Sequence, residues 1–292
     1  MYSAIATNKR NTVFIMLGFV VLIAVIGWVI GYLYNDVTIF YVIGVVALIY
    51  ALIQYFAAGA LATAVTGAKE IDKKDNPRLW RVVENLSITL GLPMPKVYII
   101  DDPAPNAFAT GRDPKHAVVA ATSGILEIMD DRELTAVMAH EMGHVQNYDI
   151  RVSTIAFGMV SAIALISDLV MRMLWFGGNR RENNTSPIVL IIGIVVIVLA
   201  PIMAVLIQMA ISRQREYLAD ASSAMTTRDP EALADALKKL EKFGRPMKSQ
   251  STATAHLFIS DPLKPGIIAG LFSTHPPLED RIKRLRGNAG KF

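Results

Sequence analysis

His140, Glu141 and His144 are the residues whose types and spacing most directly suggest chemistry; they lie in the run His140-Glu141-Met142-Gly143-His144. On an α-helix, residues four apart lie on the same face, so both imidazoles can bind one metal ion. The Glu141 carboxylate then lies beside the ion, where it can accept a proton from an activated water molecule. This pattern is typical of metal-dependent peptide hydrolysis. A chance match would bury two imidazoles and a carboxylate without partners, which is costly.

A third protein ligand is required, because catalytic zinc sites use three and leave one position open. The chain has no Cys, so the ligand must be His, Asp or Glu. The subclass with a glycine three residues and a histidine six residues after the second His is excluded by Asn147 and Ile150. Glu216 on a separate helix is the candidate, and Asp220, one turn further on, can hydrogen-bond to a ligand imidazole. The alternative is a solvated helix face beside neighbouring arginines.

The composition points to membrane segments. Hydrophobic residues make up 53% of the chain and charged residues 18%, against about a quarter charged in soluble domains. Residues 13–34 and 37–57 carry no charge and are long enough to span a bilayer. Lysines and arginines lie outside this pair and none lies in its connecting turn, so the positive-inside rule places both flanks in the cytoplasm. The net charge is +4, but no interleaved basic and aromatic patch is present, so we predict no nucleic-acid partner.

Three regions follow from this patterning. Residues 1–68 hold two N-terminal transmembrane helices, and residues 69–151 with 212–292 form the catalytic domain. Residues 152–211 form an apolar helical hairpin, predicted as transmembrane helices 3 and 4. The alternative is a hairpin that enters the membrane only partly or packs on the catalytic domain, since its loop carries Arg180 and Arg181. An antiparallel hairpin brings His144 and Glu216 to the same membrane face.

The polar regions predict a mostly helical α+β fold. Capping residues followed by proline or glutamate mark three helix starts, at Asn76, Asp130 and Asp229. The helix that begins at Asp130 is expected to run to about Tyr148, and a last helix begins near Pro276 or Pro277. Short runs rich in β-branched and aromatic or small residues predict strands, at 96–100, 107–110 and 117–121.

Four motifs in this order resemble the HtpX-type membrane zinc metalloproteases, relatives of the CAAX prenyl endopeptidases. They are His-Glu-Met-Gly-His, Asn147-Tyr148-Asp149, the run Arg-Glu-Tyr-Leu-Ala-Asp at 215–220, and Ser273-Thr274-His275-Pro276-Pro277. The resemblance covers nearly the whole chain. It implies a zincin-like metalloprotease domain with integral-membrane helices. It also implies one Zn²⁺ per chain, held by His140, His144 and Glu216, with Glu141 as the catalytic base.

The resemblance carries further expectations. Asn106, Ala107 and Phe108 resemble the family's edge strand, along which substrate main chain lies. His275 resembles a histidine that steadies the oxyanion, and Arg281 is a weaker candidate for that region. The expected substrates are polypeptides, membrane or misfolded proteins above all, cleaved in quality control and stress response. The expected location is the cell membrane, as a multi-pass protein in contact with the lipid bilayer and with its catalytic domain facing the cytoplasm.

Two other functions fit a membrane zinc site, namely a zinc transporter or sensor and an inactive zinc-binding scaffold. Transport usually needs ionisable groups within the spans, and Gln54 is the main polar group of the first two. All residue types that catalysis requires are present, which disfavours a scaffold. The sequence gives no role to His116, interpreted as a strand residue near a turn, or to His256.

Overall fold

The N-terminal part of the chain is a helical hairpin. The computed structural model describes residues 2–159, 213–249, 254–260, 262 and 276–291. Helices α1 (Tyr2–Tyr34) and α2 (Val37–Thr66) pack along each other and are joined by a two-residue turn. Asp36 caps α2 by accepting a hydrogen bond from the Thr38 N–H group. Both helices therefore extend beyond the apolar segments predicted from the sequence.

A four-stranded sheet follows the hairpin. Its strands are β1 (Lys69–Glu70), β2 (Lys96–Ile100), β3 (Ala107–Gly111) and β4 (Ala117–Thr122), in the order β1-β2-β4-β3. Strands β2 and β4 are parallel, and the other two pairs are antiparallel. The three strands predicted from the sequence are confirmed, whereas β1 has two residues and offers no alternation to detect. Strand β3 lies at the edge of the sheet.

Besides a helical run over 149–159, six further helices follow in the described residues: α3 (Pro77–Leu90), α4 (Ser123–Ile128), α5 (Asp131–Gln146), α6 (Arg213–Thr227), α7 (Pro230–Phe243) and α8 (Leu278–Gly287). The predicted caps are confirmed, because Asn76, Asp130 and Asp229 each accept a backbone N–H hydrogen bond at their helix start. Helix α5 ends at Gln146, two residues before the predicted end. The chain is helical again over 149–159.

Helix α5 lies at the centre of the catalytic part. It packs against α3, α6, α7 and β3, and its apolar side chains belong to the largest buried cluster. The mostly helical α+β fold predicted from the sequence is thereby confirmed. The predicted hairpin over 152–211 lies outside the described residues beyond 159, so that division of the chain stays a prediction.

Candidate metal centre

Helix α5 presents the His-Glu-x-x-His motif from a rigid, buried position. At its start, Asp130 accepts from the Glu133 backbone while the Glu133 side chain accepts from the Asp130 backbone, which is a complete capping box. His140 and Glu141 are each 1% exposed. The Nε2 atoms of His140 and His144 lie 3.2 Å apart. The predicted convergence of the two imidazoles on one face is therefore observed.

Glu216 of α6 brings its carboxylate to the two imidazoles. One carboxylate oxygen lies 3.7 Å from His140 Nε2, and the other lies 3.5 Å from His144 Nε2. A tetrahedral zinc ion with bonds of about 2.0–2.1 Å keeps its ligand atoms about 3.3 Å apart. The spacing of these nitrogen and oxygen donors therefore fits a single zinc ion. Among the described residues, His140, His144 and Glu216 form the one group of three or more His, Asp or Glu that can hold a metal ion.

A glycine allows α6 to approach α5 this closely. A Cβ atom built on Gly143 would lie 3.2 Å from Ser222 Cβ and 3.5 Å from Ala219 Cα. The Ser223 hydroxyl also donates to the Ala136 carbonyl at 2.7 Å, which joins the two helices one turn further along. The absence of a side chain at Gly143 thus allows α6 to lie close enough to α5 for Glu216 to reach the two imidazoles.

Each of the two imidazoles has a carboxylate beside its other nitrogen. Asp220 Oδ1 lies 3.0 Å from His140 Nδ1, as predicted for a residue one turn after Glu216. Asp149 Oδ2 lies 2.9 Å from His144 Nδ1. Such partners fix the tautomer, so that Nε2 keeps its lone pair for the metal ion. Asp149 lies in the Asn-Tyr-Asp motif, but its residue type and spacing alone do not indicate this contact.

Arg281 of α8 is fully buried beside these groups. Its guanidinium donates to both oxygens of Asp220, at 2.9 Å and 2.6 Å, and lies 3.5 Å from a Glu216 oxygen. Burial alone would lower the pKa of Arg281, but Asp220, Glu216 and Glu141 raise it, so the side chain stays a cation. Its shortest hydrogen bonds are those to Asp220, and it lies 3.4 Å from His140 Nδ1, so in the described structure Arg281 holds the carboxylate that faces His140.

The two ligand imidazoles differ in their proton affinity. Burial lowers the pKa of His140 to about 4, and the nearby Arg281 charge acts in the same direction. Burial also lowers the pKa of His144, but the hydrogen bond with Asp149 and the charge of Glu216 outweigh it and raise that pKa to about 9. A metal ion binds only an unprotonated nitrogen, so a proton held at His144 opposes metal binding there.

The family follows from comparison with known proteins. Residues 73–289 match the model of Peptidase family M48. The chain belongs to peptidase family M48. It is accordingly a metallopeptidase, a hydrolase that cuts polypeptides with the help of a metal ion, and the resemblance drawn from the motifs is confirmed.

Curated relatives match this M48 peptidase over almost their whole length. A Protease HtpX homolog of Tropheryma whipplei (strain Twist) is 58% identical over 100% of both chains. Homologs from Limosilactobacillus fermentum and Streptococcus pneumoniae are 46% and 44% identical, with 98% of this chain and 99% of each relative covered. The crystal structure of S. mikatae Ste24p shares the fold, with a TM-score of 0.51 at 17% identity, over 98% of this chain and 67% of that one.

The active-site cavity of this M48 peptidase has a wall that the sequence did not predict. Beside the motif residues and Glu216, the cavity is lined by Ala109 of β3 and by residues 256–259. Phe258 pairs antiparallel with Phe108, and the Ile259 N–H group donates to the Ala107 carbonyl at 3.0 Å. We call residues 255–260 the edge segment, because they lie along the outer edge of β3.

The residues predicted to bind substrate lie under this edge segment. Asn106 is 2% exposed, and its amide donates to the Ser260 carbonyl at 2.8 Å. Ala107 and Phe108 are fully buried, and the Phe108 ring packs against the Phe258 ring with centroids 5.1 Å apart. The described edge of β3 is therefore paired with the chain's own residues at the positions expected for substrate.

The remaining histidines divide into three cases. His256 lines the cavity, and its Nε2 atom donates to the Ser153 carbonyl at 3.0 Å. It reaches the cavity because the nearby residues Phe258 and Ile259 pair with β3. His116 belongs to a 3-10 turn rather than to a strand, and it bonds to Asp113. His275 lies outside the described residues.

Proposed function

We propose that this M48 peptidase is a zinc-dependent endopeptidase, with the ion held by His140, His144 and Glu216. The observation that carries the proposal is the convergence of the three side chains: the two Nε2 atoms lie 3.2 Å apart, and the two Glu216 oxygens lie 3.7 Å from His140 Nε2 and 3.5 Å from His144 Nε2. The donor set of two imidazoles and one carboxylate is a catalytic zinc set that leaves room for substrate. Membership of a peptidase family favours hydrolysis over a zinc transporter, sensor or inactive scaffold.

In the proposed mechanism, Glu141 moves the proton. A zinc ion at this site supplies Lewis acidity, which polarises the peptide carbonyl and acidifies water. Glu141 is buried and lines the same cavity as the two imidazoles. It accepts a proton from the attacking water and delivers it to the departing amine nitrogen. On the resemblance alone, we propose that His275 donates a hydrogen bond to the oxyanion.

Substrate main chain is proposed to add to the outer edge of β3, at Asn106, Ala107 and Phe108. Main-chain pairing with a sheet edge recognises extended polypeptide with little dependence on side chains, which suits misfolded proteins. The edge segment makes this same type of contact and lines the same cavity. A substrate strand therefore competes with residues 257–259 for the edge.

A membrane location is proposed from the helical hairpin. By length and composition, one helical segment among the described residues is able to cross a membrane, Phe40–Ala57. Large apolar side chains on both helices are more than half exposed, among them Phe14, Leu17, Trp28, Leu48 and Phe56. The surface of a soluble protein rarely carries so much apolar area. In a bilayer, lipid chains contact these side chains and keep them away from water. The lysines and arginines on both flanks of the hairpin favour a cytoplasmic position for the catalytic part. We propose that it acts there on membrane-protein substrates, in quality control and stress response.

The mechanism is tested by Glu141→Gln in the full chain, purified in detergent. Zinc content is measured by elemental analysis, and casein cleavage is measured with and without a chelator. We expect the rate to fall by a factor on the order of 10²–10⁴, with zinc content unchanged, whereas Glu216→Gln lowers both. The matched control is Glu241→Gln, which changes an exposed carboxylate on α7. A wild-type rate in Glu141→Gln would refute the role of Glu141.

A further inference from the structure

The turn between α5 and the following helix has an unfavourable backbone. Tyr148 has a φ of 61°, in the left-handed region that side-chain-bearing residues rarely adopt. This residue reverses the chain just after α5, so that Asp149, five positions after His144, returns to bond with the His144 ring at 2.9 Å. Backbone strain of this kind costs on the order of 1–3 kcal/mol, so surrounding contacts must hold the turn.

Asn8 of α1 provides such contacts. Its side-chain nitrogen lies 2.9 Å from the Asn147 carbonyl and 2.6 Å from Asp149 Oδ1. Both partners are acceptors only, so the amide NH₂ group must face them and use both of its hydrogens. Asn8 is 4% exposed, which makes these hydrogen bonds expensive to lose.

Asp149 is consequently held through both of its carboxylate oxygens. One oxygen accepts from Asn8, and the other faces the Nδ1 atom of His144. Asp149 is 3% exposed, so water does not substitute for either partner. A continuous series of hydrogen bonds thus runs from α1 to a proposed metal ligand.

The position of Asn8 is itself fixed by packing. The Lys9 ammonium lies 4.6 Å from the centre of the Tyr148 ring, on the same turn that Asn8 contacts. Two and three turns further along α1, Ile15 and Phe19 are buried in a cluster with apolar side chains of the helical run 149–159. The start of α1 is therefore docked on the structure that carries Asp149.

We propose that Asn8 is a positioning residue for the metal centre, acting through Asp149 on His144. This inference rests on the proposed function, in which His144 binds the ion. Partners of ligand imidazoles typically contribute 10- to 100-fold to metal affinity. Asn8 is separated from the ion by one more hydrogen bond than Asp149 is. We therefore expect its loss to lower zinc affinity by about tenfold, the lower limit of this range. The N-terminal helix thus belongs to the catalytic centre, although the matched family region begins at residue 73.

The test measures zinc affinity by competition with a chromogenic chelator, using the full chain in detergent. Asn8→Ala should weaken zinc binding about tenfold, and Asn8→Asp should weaken it further, because it sets two carboxylates 2.6 Å apart. The control is Thr12→Ala, a buried position one turn along α1 whose hydroxyl donates to the backbone carbonyl of Asn8 rather than to its side chain. The zinc affinity of Thr12→Ala should stay within about twofold of wild type, well below the tenfold loss expected for Asn8→Ala.

A double-mutant cycle separates positioning from a general loss of folding. In an Asp149→Ala background, Asn8→Ala should cause no further loss of zinc affinity, because the residue through which it acts is gone. Equal additional losses in both backgrounds would overturn the inference, as would wild-type affinity in both Asn8 variants. Absence of zinc binding in the wild-type protein would instead overturn the proposed function.

Discussion

Replacing Gly143 with alanine tests how closely the two ligand-bearing helices must approach. The added Cβ atom would lie 3.2 Å from Ser222 Cβ, whereas carbon atoms in good contact lie about 3.5–4.0 Å apart. Helices α5 and α6 must therefore separate by roughly 0.3–0.8 Å, by the same measure. Metal–ligand distances tolerate only about 0.2 Å, so Glu216, which moves with α6, leaves its coordination distance. We expect zinc affinity to fall about tenfold, in the range seen for disturbed ligand shells.

The sign of the change in the free energy of unfolding shows whether the contact between α5 and α6 is tight at Gly143. Glycine inside a helix costs about 0.5–1 kcal/mol relative to alanine, so Gly143→Ala would stabilise α5 if space were available. Overpacking costs about 1–3 kcal/mol, which leaves a net loss of up to about 2.5 kcal/mol in the free energy of unfolding. Chelator competition and thermal unfolding measure the two effects. Adding Ser222→Gly removes the closest atom and should restore zinc affinity. A more stable Gly143→Ala variant with wild-type zinc affinity would refute the reasoning.

Three further predictions concern the supports of the site. Asp130→Ala removes the cap of α5 and should lower the free energy of unfolding by about 1 kcal/mol, measured by denaturant titration; an unchanged midpoint would contradict it. Phe258→Ala weakens the edge segment's hold on Phe108 and should lower the KM for casein, whereas a raised KM would argue against competition for the edge. Arg132 lowers the pKa of Asp229 through its hydrogen bond, so this carboxylate stabilises the fold above its unfolded pKa. The stability advantage over Asp229→Asn, which keeps a cap, should therefore be complete at neutral pH and disappear as the pH falls through the lowered pKa.

The geometry of the candidate metal group was predictable because its determinants are local. Helix periodicity places His140 and His144 together, the capping box fixes where α5 begins, and the Glu216–Asp220 spacing brings one carboxylate to each side of His140. Each of these relationships spans at most one or two helical turns, and so it can be recognised without knowledge of the fold.

The supporting contacts were not predictable because they depend on chain reversals and distant pairings. Asp149 reaches His144 only because Tyr148 adopts a left-handed conformation, which no residue type at that position announces. Asn8 lies in the polar start of α1 beside Lys9, Arg10 and Asn11, where nothing in the sequence distinguishes it from a solvated residue. The edge segment pairs with β3 across about 150 positions, and its sequence carries no strand alternation.

The buried pair of Arg281 and Asp220 has a consequence for the order in which the enzyme becomes competent. As the chain is synthesised, the two imidazoles, Glu216 and Asp220 all emerge before α8. When α8 docks, it buries the Asp220 carboxylate and supplies the Arg281 cation that pairs with it, and a buried carboxylate without such a partner is strongly unfavourable. The carboxylate that faces His140 is therefore held as observed only after α8 has been synthesised and has docked.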